Sequence, residues 1–214
     1  HTSRRRASSE LPRTPNGTGL MSTPSKIAVL FSGRGGNLNA LVHHTQKPSV
    51  PAEIVLGLCN NPGVGGLQIC QDNNIPCKLI NHRDYDNREA FDAELDKALE
   101  QASAELICAA GFMRLLTPGF VNKWYDRILN IHPALLPKYK GLNTHQRALD
   151  AGDKEHGCTV HLMRPEMDEG PILVQRKIPV LKGDTAESLA KRLIEQEHIA
   201  FPEALDIMLT RIRA

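Results

Sequence analysis

Short apolar runs alternate along this chain with amphipathic stretches of helical period, and glycine, proline, asparagine and aspartate separate them. A continuous apolar run of roughly four to eight residues is typical of a strand that is covered on both faces of a sheet. The predicted strands span residues 27–31, 52–59, 75–80, 106–110, 128–132, 157–163 and 172–180. Predicted helices lie between them, at residues 38–42, 65–74, 86–101 and 144–151, and from residues 117 and 184 onwards. This alternation predicts an α/β fold with a doubly wound, mostly parallel sheet.

The last two predicted strands depart from the alternation. Only a short charged loop, residues 164–170, separates them, which leaves no room for a helical crossover. We therefore expect these strands to pair antiparallel and to form a C-terminal extension of the parallel sheet.

Three of the predicted helices begin with capping signals. Asp86-x-x-Glu89 and Asp184-x-x-Glu187 have the spacing of a capping box, and Thr117-Pro118 has the order of an N-cap followed by a first-turn proline. The residues predicted to face the core from the helices at 86 and 184 are Ala90, Phe91, Leu95, Ala98, Leu99, Leu189, Leu193, Ile199 and Phe201.

Length and composition fit one globular domain. The chain has 214 residues, of which 41% are hydrophobic and 23% charged, and no apolar run approaches the roughly 18 residues of a membrane span. Residues 1–20 have no hydrophobic periodicity and carry four arginines against one glutamate, so the rest of the chain is close to neutral. We therefore interpret residues 1–20 as a leader or vector-derived arm outside the fold and residues 21–214 as a single domain. We expect no membrane and no nucleic acid as a partner.

The five cysteines are scattered and mostly lie in apolar runs, without C-x-x-C spacing. This pattern favours buried, reduced thiols in a cytoplasmic protein over a disulfide framework or a zinc site.

A glycine-rich loop, Ser32-Gly-Arg-Gly-Gly-Asn37, joins the first predicted strand to the first predicted helix. Glycines allow a ligand to approach the backbone, and the N–H groups at a helix start suit a phosphate. The dinucleotide fingerprint G-x-G-x-x-G fails here, because Leu38 stands where its third glycine would be. The loop is therefore either a phosphate site or an ordinary tight turn.

Two polar side chains, Asn130 and His132, interrupt the strand at residues 128–132 near its carboxyl end. A spacing of two puts them on one face of an extended chain, and ligands of open α/β sheets bind outside the carboxyl ends of the strands. With Asp168 they form a candidate set: an amide and an imidazolium can stabilise an oxyanion, and a carboxylate favours the charged imidazole and relays protons. These three groups suit formyl or acyl transfer to an amine. The alternative is a satisfied structural histidine with turn-forming neighbours.

A metal site is a competing interpretation of this region. His156, His161 and Asp168 would be its ligands, but the spacing of the two histidines is not that of a helical zinc site, so we expect no metal.

Four segments carry a resemblance to a known family. They are Ser32-Gly-Arg-Gly-Gly-Asn-Leu38, Ala110-Gly-Phe-Met-Arg-Leu-Leu116, the stretch from Leu129 to Gly141 with Asn-Ile-His-Pro near its start, and Met167-Asp-Glu-Gly-Pro-Ile172. In this order they resemble the phosphoribosylglycinamide formyltransferases, and the resemblance covers residues 26 to 210. It implies a formyltransferase-like fold and an enzyme of purine synthesis that moves a formyl group from 10-formyltetrahydrofolate to the amine of glycinamide ribonucleotide, as a monomer or homodimer.

The resemblance also implies roles for particular residues. Asn130, His132 and Asp168 match the catalytic trio of the family, and Leu136-Pro137 is expected to be cis. The expected phosphate and ribose contacts are Gly35, Gly36, Asn37 and Glu197. The expected folate-binding residues are Met113, Arg114, Leu115, Leu116, Val121, Met163, Arg164 and Asp168.

The sequence departs from the family pattern at Gly36, where many members have serine, and at Asn143, where a histidine is common. The first change removes one hydroxyl contact to the phosphate, and the second leaves the assigned trio intact. Three other activities are alternatives: a formyltetrahydrofolate hydrolase, a Met-tRNA formyltransferase and a non-catalytic nucleotide-binding module. The first two need an additional domain, for which residues 21–214 leave no room.

Overall fold

Seven strands form one sheet in the computed structural model, which describes residues 23–214. The predicted leader arm, residues 1–20, lies outside the described residues. The strands are β1 (Ser25–Phe31), β2 (Ala52–Cys59), β3 (Cys77–Leu79), β4 (Leu106–Ala109), β5 (Ile128–His132), β6 (Glu155–Leu162) and β7 (Ile172–Pro179). The α-helices are α1 (Gly36–Thr45), α2 (Gly65–Asp72), α3 (Arg88–Gln101), α4 (Pro118–Lys123), α5 (Thr144–Asp150) and α6 (Ala186–Ile212), and a 3₁₀ turn spans His82–Asp84.

The strand order is β3-β2-β1-β4-β5-β6-β7. Strands β1 to β5 pair in parallel, whereas β5 with β6 and β6 with β7 pair antiparallel. This confirms the predicted mostly parallel sheet with its antiparallel C-terminal extension. The chain reverses its direction of travel across the sheet between β1 and β4, so the carboxyl ends of these two strands form the switch point where α/β proteins bind ligands.

Each face of the sheet carries its own hydrophobic core. Alternate residues of β1 point to opposite faces, so Ile27, Val29 and Phe31 pack with α1 and α6 while Ala28 and Leu30 pack with α3 and α4. All five side chains are fully buried. The parallel half of the sheet is thus covered on both sides, as its continuous apolar strands predict.

Two of the predicted helix starts are wrong by one residue. Asn87, and not Asp86, caps α3, because its side-chain oxygen accepts a hydrogen bond from the N–H of Ala90 at 2.8 Å. At α6 the capping box is formed by Thr185 and Ser188, because Asp184 is engaged by Arg192 instead. The predicted Thr117 cap and Pro118 at the start of α4 are confirmed.

Two residues predicted to face the core are exposed. Ala90 lies in the first turn of α3, before the helix reaches its core contacts, and Ile199 is 42% exposed on the outer side of α6. The third strand is also shorter than predicted. Cys77–Leu79 forms the edge of the sheet, and all three of its residues are exposed, so Cys77 is not the buried thiol that the sequence pattern indicated.

None of the helices within residues 23–214 has both the length and the apolar character that crossing a membrane requires.

Candidate active site

The carboxyl end of β5 brings two of the three predicted catalytic residues to the middle of the sheet. His132 is buried and Asn130 half-buried, and both pair across the antiparallel ladder with β6, where their partners are Thr159 and His161. The chain then turns through Pro133, and the peptide bond between Leu136 and Pro137 is cis, which confirms the prediction. The structure thus adds a second imidazole, that of His161, beside Asn130.

Asp168 lies between the two imidazoles. Its Oδ2 is 3.6 Å from Nδ1 of His132, and its Oδ1 is 3.9 Å from Nε2 of His161. The three side chains are at most 9% exposed, so water screens the interaction of the carboxylate with the imidazoles only weakly. Asp168 has a left-handed backbone with φ of 56°, and the N–H of Gly141 donates to its Oδ2 at 2.9 Å. The predicted proximity of residues 132 and 168 is therefore present.

The hydrogen bonds assign a distinct role to each nitrogen of His132. Its Nε2 lies 2.7 Å from the carbonyl oxygen of Tyr139, and because a carbonyl only accepts, Nε2 carries a proton. Nδ1 is left facing the carboxylate of Asp168. In His161 the order is reversed: Nδ1 is 3.0 Å from the carbonyl oxygen of Leu162, while Nε2 is buried without a hydrogen-bond partner.

Burial lowers the pKa of His161, and the nearby Asp168 carboxylate only partly opposes this effect. A buried neutral imidazole with a free Nε2 beside a carboxylate suits a water or a reacting group between them.

A cavity of about 320 Å³ opens beside these residues, with Asn130, His161 and Asp168 in its wall. Seven of the eight predicted folate-binding residues line it: Arg114, Leu115, Leu116, Val121, Met163, Arg164 and Asp168. The eighth, Met113, does not; its side chain is 75% exposed and lines a neighbouring cavity. His132 is not part of the lining either, and its nearest charged neighbour in the wall is Asp168.

Pro165 and Met167 of the loop from Met163 to Asp168 also line this cavity, as the resemblance implies, whereas the sequence reasoning missed Arg88, Phe112, Pro118 and His161. Arg88 is the first residue of α3, far along the chain from the motifs, and carried no local signal. His161 could have been found, because a strand that pairs antiparallel with β5 puts one of its residues opposite Asn130.

A second cavity, of about 420 Å³, lies at the glycine-rich loop after β1. It brings together all four residues predicted to bind the phosphate and ribose: Gly35, Gly36, Asn37 and Glu197. Arg34 of the predicted loop also lines it, whereas the sequence reasoning missed Asn61, Ile194 and His198. The loop after β4 lies between the two cavities, because Gly111 and Met113 line this one whereas Phe112 and Arg114 line the other.

Close packing explains why the loop needs glycine. Gly35 has a φ of 83°, and a Cβ there would lie 2.9 Å from the Cα of Gly66 and 2.9 Å from Cδ1 of Ile69. At Gly36, where the resemblance leads us to expect serine, a Cβ would lie 3.0 Å from Nε2 of His198. The imidazole of His198 thus occupies the direction in which a side chain at position 36 would point.

The polar groups of the loop cavity are only partly satisfied. The side-chain amide of Asn37 donates to Oε1 of Glu197 at 3.5 Å, and Oδ1 of Asn37 is buried without a partner. Burial raises the pKa of Glu197, and the Asn37 hydrogen bond opposes the rise. These groups, with the N–H groups at the start of α1, can bind an anion and the hydroxyl groups of a sugar.

Within residues 23–214, no three His, Cys, Asp or Glu side chains come together in a way that could hold a metal ion.

Comparison with known proteins gives consistent results. The family model described as "Formyl transferase" matches residues 25–205. The trifunctional purine biosynthetic protein adenosine-3 of Gallus gallus is 50% identical over 183 residues, which are 86% of this chain and 18% of that protein. The phosphoribosylglycinamide formyltransferase of Escherichia coli is 39% identical over 176 residues, 82% of this chain and 83% of that one.

A crystal structure of phosphoribosylglycinamide formyltransferase from Brucella melitensis superposes with a TM-score of 0.83 at 44% identity, covering 87% of this chain and 96% of that one. The present chain thus spans less than a fifth of the Gallus gallus trifunctional protein but most of the E. coli and Brucella enzymes.

Proposed function

This chain belongs to the formyl transferase family, and from that premise we propose that it transfers the formyl group of 10-formyltetrahydrofolate to the amine of glycinamide ribonucleotide. The observation that carries the proposal is the 3.6 Å approach of Asp168 to Nδ1 of His132, with Asn130 beside them, at the carboxyl end of a central strand. No enzyme nucleophile is needed for this reaction, because the substrate amine itself attacks the formyl carbon.

Binding of the ribonucleotide is assigned to the glycine-loop cavity. Its N–H groups at the start of α1 suit the phosphate, and the carboxylate of Glu197 suits the ribose hydroxyl groups. The substrate amine would then extend past the loop after β4 towards Asn130, since that loop borders both cavities.

The cavity beside Asp168 is assigned to the folate. Apolar side chains of Phe112, Leu115, Leu116 and Val121 offer a surface for a flat ring, and a volume of about 320 Å³ falls within the range of small-molecule sites. Arg88 and Arg114 supply guanidinium groups that suit the glutamyl carboxylates of a folate. Arg164 is less available, because it pairs with Asp126 at 2.6 Å and stacks on Tyr125.

The catalytic roles follow from the hydrogen-bonding capacity of each group. As the amine attacks, the formyl oxygen becomes negative, and the amide N–H of Asn130 and a protonated Nδ1 of His132 stabilise it. The carboxylate of Asp168 stabilises the positive imidazole ring and accepts a proton from the attacking amine, directly or through water. The same proton is then delivered to the folate nitrogen that leaves, so the reaction neither takes up nor releases a proton.

The experiment is an assay of the purified protein with both substrates. We expect formylated ribonucleotide and tetrahydrofolate in equal amounts. Formate released without the ribonucleotide would instead indicate a hydrolase, and binding of both compounds without any product would indicate a non-catalytic module; either outcome refutes the proposal.

We also propose that the reaction takes place in the cytoplasm, because all five cysteines are free and four of them are buried. Action as a monomer or a homodimer, without nucleic acid or a membrane, stays a prediction.

A further inference from the structure

The turn that follows β5, residues 138–142, contacts both members of the His132–Asp168 pair. The carbonyl oxygen of Tyr139 lies 2.7 Å from Nε2 of His132, and the N–H of Gly141 donates to Oδ2 of Asp168 at 2.9 Å. Only one residue separates these two backbone groups. A movement of the turn would therefore change the protonation of the imidazole and the orientation of the carboxylate together.

The conformation of this turn is not one that its sequence favours by itself. Tyr139 has a φ of 55° and Gly141 a φ of 84°, and a left-handed backbone is disfavoured for a bulky residue such as tyrosine. Residues held in such a conformation persist only where their surroundings over-determine them. The contacts that hold Tyr139 are thus candidates for a functional role.

Asp153, which lies between α5 and β6, holds the turn from one side. Its Oδ2 accepts hydrogen bonds from the hydroxyl of Tyr139 at 2.5 Å and from Nζ of Lys138 at 3.0 Å. The Tyr139 hydrogen bond, followed by that of Lys138, lowers the pKa of Asp153, so the group is a carboxylate at neutral pH. An ionised acceptor makes the bond to the tyrosine hydroxyl stronger than a neutral one would.

Arg147, on α5, holds the turn from the other side. Its guanidinium donates to the carbonyl oxygens of Lys140 at 2.6 Å and Leu142 at 3.2 Å, and it lies 5.2 Å from the centre of the Tyr139 ring. The two charged residues therefore fix the turn through its side chains and through its backbone.

We propose that Asp153 and Arg147 are positioning residues for the formyl transfer: through the Tyr139–Gly141 turn they keep the proton of His132 on Nε2 and hold Asp168 opposite Nδ1. The inference rests on the proposed function for its kinetic consequence. Its structural consequence, the protonation of one ring nitrogen, does not depend on any substrate.

The test removes the hydrogen bond between Tyr139 and Asp153 and keeps the aromatic ring of residue 139. In Tyr139→Phe the hydroxyl bond to Asp153 is lost while the aromatic contact with Arg147 stays. We expect kcat to fall about tenfold, the effect of losing one hydrogen bond to a charged group, with KM for both substrates within about twofold. Asp153→Asn keeps the shape and a weaker acceptor, so its kcat is expected to fall less than that of Tyr139→Phe. The double variant is expected to be no slower than Tyr139→Phe, because both changes act on the same hydrogen bond between residues 139 and 153.

The second readout is the ¹⁵N NMR spectrum of the His132 ring in the protein without substrates. Recorded at a pH high enough for the ring to be neutral, the spectrum is expected to show the proton on Nε2 in the wild type and a mixture with the Nδ1-protonated form in Tyr139→Phe. Glu155→Gln is the matched control, since Glu155 pairs with Lys177 at 3.5 Å on the exposed start of β6 and touches no part of the turn; its kcat and ring spectrum are expected to equal those of the wild type.

The outcomes separate the two proposals. An unchanged ring spectrum in both Tyr139→Phe and Asp153→Asn, or a kcat within twofold of the wild type in Tyr139→Phe, overturns the positioning role. A wild type without transferase activity overturns the proposed function, and the ring spectra still decide the role of the turn. Thermal unfolding is measured for each variant, and if Tyr139→Phe does not fold, Arg147→Lys, which keeps the charge but loses the paired donors, takes its place with the same expectations.

Discussion

The parallel and antiparallel halves of the sheet use their buried positions in opposite ways. The parallel half fills its strand interiors with apolar side chains, as in Ile27–Phe31, and presents a glycine loop to its cavity. The antiparallel half, which is β5 to β7 and shares β5 with the parallel half, buries the three imidazoles of His132, His156 and His161 on two adjacent strands. Buried titratable groups are costly unless they have partners, so they are kept where chemistry needs them. We therefore expect the glycine loop to bind chiefly through its backbone and the end of β5 to react through its side chains.

This division has a kinetic signature. Changes in the glycine loop should raise KM for the ribonucleotide and leave the chemical step nearly intact, because the part of the substrate that we propose binds there does not react. Changes at the end of β5 should lower kcat.

The largest effect is expected for His132→Ala. Removing the imidazole removes one donor to the developing oxyanion, so kcat should fall by roughly 10²-fold or more, with KM values within about threefold of the wild type. Steady-state kinetics with both substrates measures this. His43→Ala, an exposed histidine on α1, is the control and should leave kcat unchanged. Comparable losses in the two variants would remove the distinction between the halves.

Acid sensitivity should originate in the antiparallel half. Burial lowers the pKa of His156 from its ordinary value of 6.5 to about 4. The unfolded chain therefore takes up this proton first as the pH falls, and the stability present above about pH 6.5 is lost progressively towards pH 4. The loss from this group is at most roughly 3 kcal/mol.

Denaturant unfolding between pH 7 and pH 4 measures this loss. His156→Gln should flatten the dependence of the unfolding free energy on pH, and His43→Gln in the parallel half should leave it unchanged. If the unfolding free energy depended on pH equally in the wild type and in His156→Gln, the imidazole of His156 would not contribute to the acid sensitivity.

Gly35→Ala tests the parallel half. The left-handed φ of 83° and the approach of a Cβ to Gly66 both oppose a side chain there, so the loop should shift. We expect KM for the ribonucleotide to rise about tenfold, equivalent to roughly 1–2 kcal/mol of strain, with kcat within about threefold. Gly152→Ala is matched to it, because Gly152 has a φ of 69° with no atom within 4 Å of its Cβ position. It should lower stability without changing KM.

The smallest effect is expected for Glu197→Gln. An amide accepts the ribose hydroxyl groups less strongly than a carboxylate does, so the Kd of the ribonucleotide should rise about fivefold while kcat stays near the wild-type value. Isothermal titration calorimetry measures this. Glu195→Gln, on the exposed side of the same helix, should bind the ribonucleotide as the wild type does. If kcat of Glu197→Gln fell by a larger factor than its Kd rose, Glu197 would instead take part in the chemical step.

How far the sequence predicts the structure depends on the range of the interactions involved. The strands, and their alternation with helices along the chain, follow from hydrophobic periodicity, which is a local property. The helix caps were missed by one residue because neighbouring polar side chains compete for the same N–H groups, as Asp86 and Asn87 do. At Asp184 the competition was decided by Arg192, eight residues away.

The cavity walls show the same limit. The positions of Gly35, Asn37 and Glu197 in one cavity agree with the motifs of the resemblance, but Arg88 and His161 enter the other wall only through the packing of α3 and the register of β6. The role of the turn at Tyr139 depends on a backbone carbonyl, to which no sequence pattern points.

The central claim is that the carboxylate of Asp168, facing Nδ1 of His132, takes part in the chemical step. Single-turnover kinetics of Asp168→Asn, with both substrates saturating, measures that step without product release. The account predicts a rate at least about 10²-fold below that of the wild type, with unchanged Kd values for both substrates. A single-turnover rate within a few-fold of the wild type would contradict it.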